Sequence, residues 1–421
     1  MKRSTRTMRL AAVAAAGALV LAACGGGDDS GDGGDDSASA SQADGVLTVG
    51  SLLPQTGSLA FLGPPEFAGV DLAIQDVNAA GGVLGEDVVG VKADSGDTDS
   101  GIAPAETDKL LDADADVIVG AASSGVSMTV IDKIMSAGTV MFSPANTSTD
   151  FDNGDYAEPD LYFRTAPSDI LQGAVMSNLL IEDGRQNVAI LARQDAYGET
   201  LAEEIGKGLE NAGSTVGATV FYGENAQSYD SQVQEIADAD PDAIVLVAFE
   251  ETTTIVPQLV QAGVGPQDVP TYFVDGNTAD YSESLPEGTL EGTKGTIPGA
   301  ETSGDFRDRL LEVDPDLKDY SYSAESYDAV VVSALAAIAA DSDAGDAIAE
   351  EIPGITEGGE KCTTFEQCAE LLADGTDIDY DGVSGPIELG ETGSPTAASI
   401  GIYQYGADNT YEAVDYISGN I

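Results

Sequence analysis

Continuous runs of apolar residues, each followed by a segment with helical spacing, recur along most of this 421-residue chain. Examples are DVIVG at 116–120, NVAILA at 187–192 and AIVLVAF at 243–249. Strands this apolar are typical of parallel sheets whose two faces are both covered by helices. The number and length of the predicted strands favour an α/β fold with two doubly wound lobes over one large sheet.

The predicted strands are 46–53, 88–93, 116–120, 139–143, 187–192, 215–222, 243–249 and 271–274. The predicted helices are 66–80, 103–112, 127–137, 170–182, 200–212, 228–239, 253–262 and 323–340. The helix at 66–80 is followed by two glycines, which are a common stop signal.

The N-terminal segment carries a targeting signal. Four basic residues precede an apolar run at 10–22 that is too short to span a bilayer stably, and the run ends in Leu-Ala-Ala-Cys at 21–24. We predict a signal peptide at 1–23. Its ending resembles a bacterial lipoprotein box, which implies lipidation of Cys24 and anchoring to the cell membrane on its outer side; an ordinary signal peptide with a chance cysteine is the alternative. Residues 24–45, rich in Gly, Asp and Ser, are predicted to be a flexible tether.

The charge balance excludes several classes of protein. The chain has 74 acidic and 16 basic residues, no histidine and three cysteines. A polyanion of this kind does not bind a nucleic-acid backbone. Ser-His-Asp catalysis, His-ligated metals and Cys₄ zinc sites are excluded as well. The acidic surface fits a saline habitat or a generally acidic secreted proteome, and binding of Ca²⁺ or other cations to it is a further alternative.

Short motifs in a fixed order carry a resemblance to a known family. They are VLTVG at 46–50 with PQTG at 54–57, GVDLA at 69–73, IQDVNAAGGVLG at 74–85, VGAASS at 119–124, FSPANT at 142–147, RTAPS at 164–168, YG at 197–198, DG at 275–276 and SYDA at 326–329. In this order they resemble the type I periplasmic binding proteins, and the branched-chain amino-acid-binding group in particular.

The resemblance implies a lipid-tethered solute receptor that works with an ABC permease in the membrane and needs no cofactor. It also implies two lobes joined by three hinge crossings, near 165–168, 297–300 and 384–386. Lobe 1 would then comprise 46–165 and 298–384, and lobe 2 would comprise 166–297 and 385–421.

Ligand contacts are carried over from the family by position. Ser124 matches the serine that holds the ligand carboxylate, in a turn before a helix whose N–H groups suit an anion; a plain helix N-cap is the alternative. Ala145 and Thr147 match residues that meet the ligand amino group. Tyr197 matches the tyrosine that closes over the ligand, and Asp275 matches the acid that pairs with the α-ammonium.

Three positions depart from the family pattern. The family often has an aromatic residue beside the Gly-rich loop, and Phe61 is predicted to take its place. Phe249 stands where a second-lobe tyrosine is common, so a ring remains but its hydroxyl is lost. Asp275 is one methylene shorter than the usual acid. An α-amino acid, branched-chain or similar, is therefore the expected ligand, and an apolar pocket discriminates one methylene by only about 1–3 kcal/mol.

Two further signals lie near the C-terminus. Cys362 and Cys368 are predicted to form a disulfide, since the protein is extracytoplasmic and Cys24 is used for lipidation. The acids Asp377, Asp379, Asp381 and Glu388 satisfy a calcium-loop pattern. A Gly-Pro pair interrupts that pattern, so it is a weak candidate and no metal site is predicted.

These observations lead to an expected function and two alternatives. The expected function is an amino-acid-binding lipoprotein of an ABC importer, which is not an enzyme. The same fold could instead bind urea, amides or aromatic acids, or act as the sensor subunit of a signalling pair. An acid-catalysed hydrolase is the third reading, and no motif singles out its carboxylates.

Overall fold

The computed structural model describes residues 43–153, 161–224, 226 and 228–421. The predicted signal peptide, the lipidation site Cys24 and the predicted tether up to residue 42 lie outside the described residues. The described residues belong to one compact unit, and two large sheets organise it.

The first sheet consists of five parallel strands in the order β2-β1-β3-β4-β5. These strands are β1 (Thr48–Leu53), β2 (Val89–Asp94), β3 (Val117–Gly120), β4 (Val140–Ser143) and β5 (Tyr162–Arg164). The intervening helices are α1 (Gly63–Ala79), α2 (Ala103–Leu111), α3 (Ser124–Met128) and α4 (Ile131–Ser136).

The second sheet repeats the same plan and adds an antiparallel hairpin, in the order β15-β14-β10-β9-β8-β6-β7. Its strands are β6 (Asn187–Arg193), β7 (Thr215–Tyr222), β8 (Ala243–Val247), β9 (Thr271–Phe273), β10 (Lys294–Pro298), β14 (Ala397–Tyr405) and β15 (Tyr411–Asn420). The helices before and between them are α5 (Asp169–Glu182), α6 (Ala196–Asn211), α7 (Asp230–Asp238) and α8 (Thr252–Ala262).

The segment between β10 and β14 returns to the first sheet. It contains α9 (Gly304–Val313), α10 (Ser323–Ala340), α11 (Gly345–Ile355) and α12 (Phe365–Ala373). A small sheet is formed by β11 (Glu360–Cys362), β12 (Ile378–Gly382) and β13 (Gly385–Pro386). Helix α10 packs on α1 and is apolar enough to cross a membrane, yet 83% of it is buried, as expected for a core helix.

Alternation along the strands explains why the sheets are covered on both faces. In β6, Val188 and Ile190 belong to one buried cluster, whereas Ala189 and Leu191 belong to another. Because successive side chains point to opposite faces, an unbroken apolar run fills two cores at once. The predicted α/β class with parallel sheets is therefore confirmed.

The chain passes between the two sheets three times. It leaves the first sheet after β5, returns after β10, and leaves again before β14. The last passage lies later than the predicted 384–386, because Ile387 and Leu389 still pack in the core of the first sheet. Their apolar side chains are buried there, so the predicted start of lobe 2 at 385 falls some residues too early.

Candidate functional site

A buried cavity lies where loops from the two sheets meet. Loops at the carboxyl ends of β1, β3 and β4 border it from one side, and those of β6, β8 and β9 border it from the other. In open α/β sheets, ligands bind at this edge, where the strand order reverses direction. The lining residues are Leu59, Leu62, Ala122, Ser123, Ser124, Ala145, Tyr197, Phe249, Asp275, Gly276 and Tyr322.

Five of the seven predicted ligand residues line this cavity: Ser124, Ala145, Tyr197, Phe249 and Asp275. Thr147 is buried and does not line the cavity.

The structure does not bring Phe61 to the cavity, which corrects the sequence-based prediction. Its neighbour Leu62 lines the cavity, and the Phe61 ring lines other, more open spaces. The reason is geometric: residues 59–62 form a tight turn, with Leu62 N–H donating to Leu59 O at 2.9 Å. This turn directs both leucines inward.

The Asp275 carboxylate is the polar centre of the cavity. Tyr197 Oη donates to Oδ1 at 2.6 Å, Gln172 Nε2 donates to the same oxygen at 2.9 Å, and Tyr322 Oη donates to Oδ2 at 2.7 Å. Burial raises the pKa of Asp275, although these three donors oppose the effect. The carboxylate is thus held in one orientation, facing the cavity from the end of β9.

Tyr322 is a site residue that the sequence analysis missed. It precedes α10 and has φ of +59°, in the left-handed region that non-glycine residues seldom adopt. Such conformations cost about 1–3 kcal/mol and cluster at functional sites. This backbone geometry accompanies a buried side chain whose hydroxyl reaches Asp275. No local sequence signal distinguishes it from the neighbouring tyrosine at 320.

Two serines follow β3: Ser123 caps helix α3, and Ser124 is the first residue of that helix and lines the cavity. The Ser123 hydroxyl accepts from Val126 N at 3.4 Å and caps α3. Ser124 begins that helix, and its hydroxyl accepts from Ser148 N at 3.4 Å. The N-cap alternative considered for Ser124 therefore applies to Ser123 instead.

Buried polar contacts hold the loops after β3 and β4 in place. Asn146 Nδ2 donates to the carbonyl oxygens of Ala121 and Ala122, each at 3.0 Å. From β5, Arg164 Nη1 donates to Asn146 O at 3.2 Å and to Ser148 O at 2.9 Å. The backbone of Ala145 is therefore fixed before any ligand arrives.

Aromatic and ionic contacts build the opposite wall. The rings of Tyr197 and Phe249 stack at 5.4 Å, and the Arg193 guanidinium lies 3.5 Å from the centre of the Phe249 ring. Arg193 also pairs with Asp195 at 2.5 Å and with Glu251 at 3.0 Å. Because Asp195 caps α6 by accepting from Gly198 N at 2.7 Å, this network sets the position of Tyr197.

Asp169 is a second buried carboxyl group close to Asp275. Thr200 Oγ1 donates to its Oδ2 at 2.6 Å. Burial raises the pKa of Asp169 to about 8, with repulsion from Asp275 adding to the effect. No sequence pattern distinguishes this acid among the 74 acidic residues.

The cavity is closed and small. Direct contacts join its two sides: Glu250 N donates to Ser58 O at 3.3 Å, and Thr98 Oγ1 donates to Glu224 Oε2. The remaining space is no larger than about one water-sized sphere. An amino acid therefore fits only if the two sides move apart or the wall side chains rearrange.

The weak calcium-loop candidate lies in β12 and its flanks. Asp379 and Asp381 share one face of that strand and pair with Lys361 at 3.0 and 2.9 Å. In the part of the chain that the structure describes, no group of three or more acids, histidines or cysteines is arranged to hold a metal ion. Nearby, a disulfide joins Cys362 and Cys368 as expected, with their Cα atoms 5.4 Å apart.

Comparisons with known proteins agree with this architecture. The family described as "Periplasmic binding protein" matches residues 46–408. The chemotactic signal transduction system substrate-binding protein BasB of Halobacterium salinarum is 27% identical, over 82% of this chain and 83% of its own length. The leucine-, isoleucine-, valine-, threonine- and alanine-binding protein of Pseudomonas aeruginosa is 28% identical, over 59% of this chain and 67% of its own length.

A solved structure shows the same fold. It is the branched-chain amino acid transporter substrate binding protein LivJ from Streptococcus pneumoniae, in complex with isoleucine. It superposes with a TM-score of 0.71 and 18% identity, over 89% of this chain and 100% of that one.

Proposed function

Because the chain belongs to the periplasmic binding protein family, we propose that it captures an α-amino acid with an apolar side chain and presents it to an ABC permease. In this proposal the part of the chain around the first sheet is lobe 1, and the part around the second sheet is lobe 2. The ligand is held between them, outside the cytoplasm.

The observation that carries the proposal is the chemistry of the shared cavity. The Asp275 carboxylate on lobe 2 suits an α-ammonium, and Ser124 with the fixed loop at Ala145 on lobe 1 suits the rest of the zwitterion. Leu59, Leu62 and Phe249 offer an apolar surface for the ligand side chain. Charge-assisted hydrogen bonds in a water-poor cavity supply affinity.

Ligand binding would shift the equilibrium between the open and closed arrangements of the two lobes toward the closed one. Neither lobe surrounds the ligand alone, so a ligand that touches both favours the closed arrangement. The narrow closed cavity supports this view, since an amino acid can enter only when the lobes are apart. The hydroxyls of Tyr197 and Tyr322 would then share Asp275 with the ligand ammonium group.

Calorimetric titration of amino acids into the purified protein tests the site. Asp275→Ala leaves two tyrosine hydroxyls and the ligand ammonium group without their partner, so we expect binding of leucine, isoleucine or valine to weaken by about 3–5 kcal/mol. Asp275→Asn, which keeps the shape and removes the charge, should weaken binding similarly. The exposed Asp268→Asn is the matched control and should bind normally.

The outcome also distinguishes ligand classes. Binding that is unchanged in both Asp275 variants would contradict the proposed ammonium contact. If the protein instead binds only urea, short amides or benzoate, the fold assignment stands and the ligand class is wrong. The proposal further expects no turnover of any of these compounds.

Membrane anchoring through Cys24 is part of the proposal and has its own test. Mass spectrometry of the mature N-terminus should find a lipidated cysteine, and Cys24→Ala should release the protein from the membrane fraction. A Cys24→Ala protein that remains membrane-bound would contradict the anchor.

A sensor subunit is the second candidate function, and the likeness to the chemotactic protein BasB favours it. The two functions predict different partners for the closed form. Genes for a permease and two ATPases beside this one would support import, whereas a gene for a histidine kinase would support signalling.

A further inference from the structure

A second, larger cavity lies between the two sheets, on the other side of Tyr322 from the closed site. Its volume is about 670 Å³, and Gly299 and Ala300, just after β10, border it. This volume is typical of small-molecule sites. It is not part of the cavity around Asp275, from which the buried Tyr322 side chain separates it.

A largely buried carboxylate faces this second cavity. Glu325, in the first turn of α10, is only 4% exposed and lines the cavity. Its own backbone N–H donates a hydrogen bond to its carboxylate. Glu66 on α1 is fully buried, and in the part of the chain that the structure describes neither of its carboxylate oxygens has a hydrogen-bond partner. Repulsion from Glu325 adds to the effect of burial in raising the pKa of Glu66.

Buried carboxylates without partners are rare in folded proteins, and each needs an explanation such as a bound ion or ligand. Glu66 is such a group, and a cation beside Glu325 would offset the repulsion between these two carboxylates. Arg307 lines the same cavity, but within the described structure it is not among the groups that interact with the Glu325 carboxylate.

The cavity walls suit an organic cation. Half-buried Tyr320, Tyr403 and Tyr411 line it, and aromatic faces attract ammonium and guanidinium groups. One of these faces already holds a cation, because the Arg307 guanidinium lies 5.1 Å from the centre of the Tyr320 ring. Tyr411 Oη donates to Asp319 Oδ2 at 2.7 Å, which places a further carboxylate at the wall.

We propose that this second cavity binds a small alkylammonium cation, with the Glu325 carboxylate as its charge partner and the tyrosine rings as its walls. The site is distinct from the one at Asp275, so a single protein molecule accommodates an amino acid and the cation at different places.

Thermal denaturation with tetramethylammonium chloride as the probe tests the proposal. The purified protein is melted at pH 8.5, where a carboxyl group with a pKa of about 8 is mostly ionised, and sodium chloride at the same concentration is the reference. We expect the probe to raise Tm by about 1–2 °C more than sodium chloride does.

Variants show whether the effect comes from this cavity. Glu325→Gln and Tyr411→Leu should each abolish the additional rise, whereas the exposed Glu350→Gln on α11 should keep it. Glu325→Gln keeps the shape of the side chain and removes a largely buried charge, so we expect it to fold. Asp275→Asn should keep the rise, which separates this site from the proposed amino-acid site. Equal Tm values in the two salts, or a rise that survives Glu325→Gln or disappears in Asp275→Asn, would overturn the proposal.

Discussion

At the scale of single residues, Arg164 is the group whose removal should cost the most stability. Its side chain is fully buried, with Nη2 2.6 Å from Asp152 and Nε 2.8 Å from Ser394 Oγ. Breaking a buried pair leaves an uncompensated charge, so Arg164→Ala should lower the free energy of unfolding by about 3–5 kcal/mol in urea denaturation. Lys92→Ala, which breaks an exposed pair with Asp71, should cost less than about 1 kcal/mol. Equal losses in the two variants would contradict this ranking.

Buried acids should make the protein less stable as the pH rises. Burial raises the pKa of both Asp169 and Glu325 to about 8, well above the usual range for unfolded chains. The folded state therefore binds more protons than the unfolded state between pH 5 and about 8. Each group then lowers the free energy of unfolding by at most about 1.4 kcal/mol per pH unit.

Urea denaturation across this pH range checks the prediction. Glu325→Gln, which mimics the protonated acid, should flatten the decline and be more stable than the parent at pH 8. A Glu325→Gln protein with the same pH dependence as the parent would show that this carboxyl group does not titrate in that range.

At the scale of elements, the small disulfide loop lends itself to a direct test. Cys362 in β11 and Cys368 in α12 are both buried and are six positions apart. Cross-linking so short a loop is expected to contribute about 2 kcal/mol, mainly by restricting the unfolded chain. Replacing both cysteines by alanine should lower the free energy of unfolding by that amount. Adding a reductant should destabilise the parent and leave the double variant unchanged.

Whether a helix or strand could be predicted depends on how continuous its apolar pattern is. Strands β3, β6 and β8 were predicted because both their faces are apolar, and α10 was predicted with the bounds it has. Strands β10, β14 and β15, with helices α9, α11 and α12, were missed, because lysine, glycine and acidic residues interrupt their apolar patterns. The predicted helix 127–137 is two short helices that break at 129–130.

The predicted site residues came from the family resemblance by position, and the structure adds residues whose place depends on backbone geometry. Tyr197 and Asp275 were carried over in this way, and a hydrogen bond of 2.6 Å joins their side chains. The inward direction of Leu62 depends on a turn, and that of Tyr322 depends on a positive φ. Neither feature has a signature in the residue types.

At the scale of the whole molecule, charge should govern the response to salt. The formal net charge is −58, and repulsion among surface carboxylates destabilises the compact state. The screening length falls from about 10 Å at 0.1 M to about 3 Å at 1 M salt. Thermal denaturation should therefore give a higher Tm in 1 M than in 0.1 M sodium chloride, and an equal rise in potassium chloride. A Tm that does not rise with salt would contradict the view that repulsion among surface carboxylates dominates. A rise in sodium chloride but not in potassium chloride would indicate a specific sodium site.

The C-terminal hairpin has a consequence for how such a chain crosses a membrane. Strand β14 pairs along β10, which was made about a hundred residues earlier, so the second sheet keeps an open edge until the final segment arrives. The helices that cover the first sheet are likewise supplied late, by residues 304–373. A chain emerging N-terminus first thus cannot complete either half early. We therefore expect both halves to reach their final packing only after residues 304–420 have emerged.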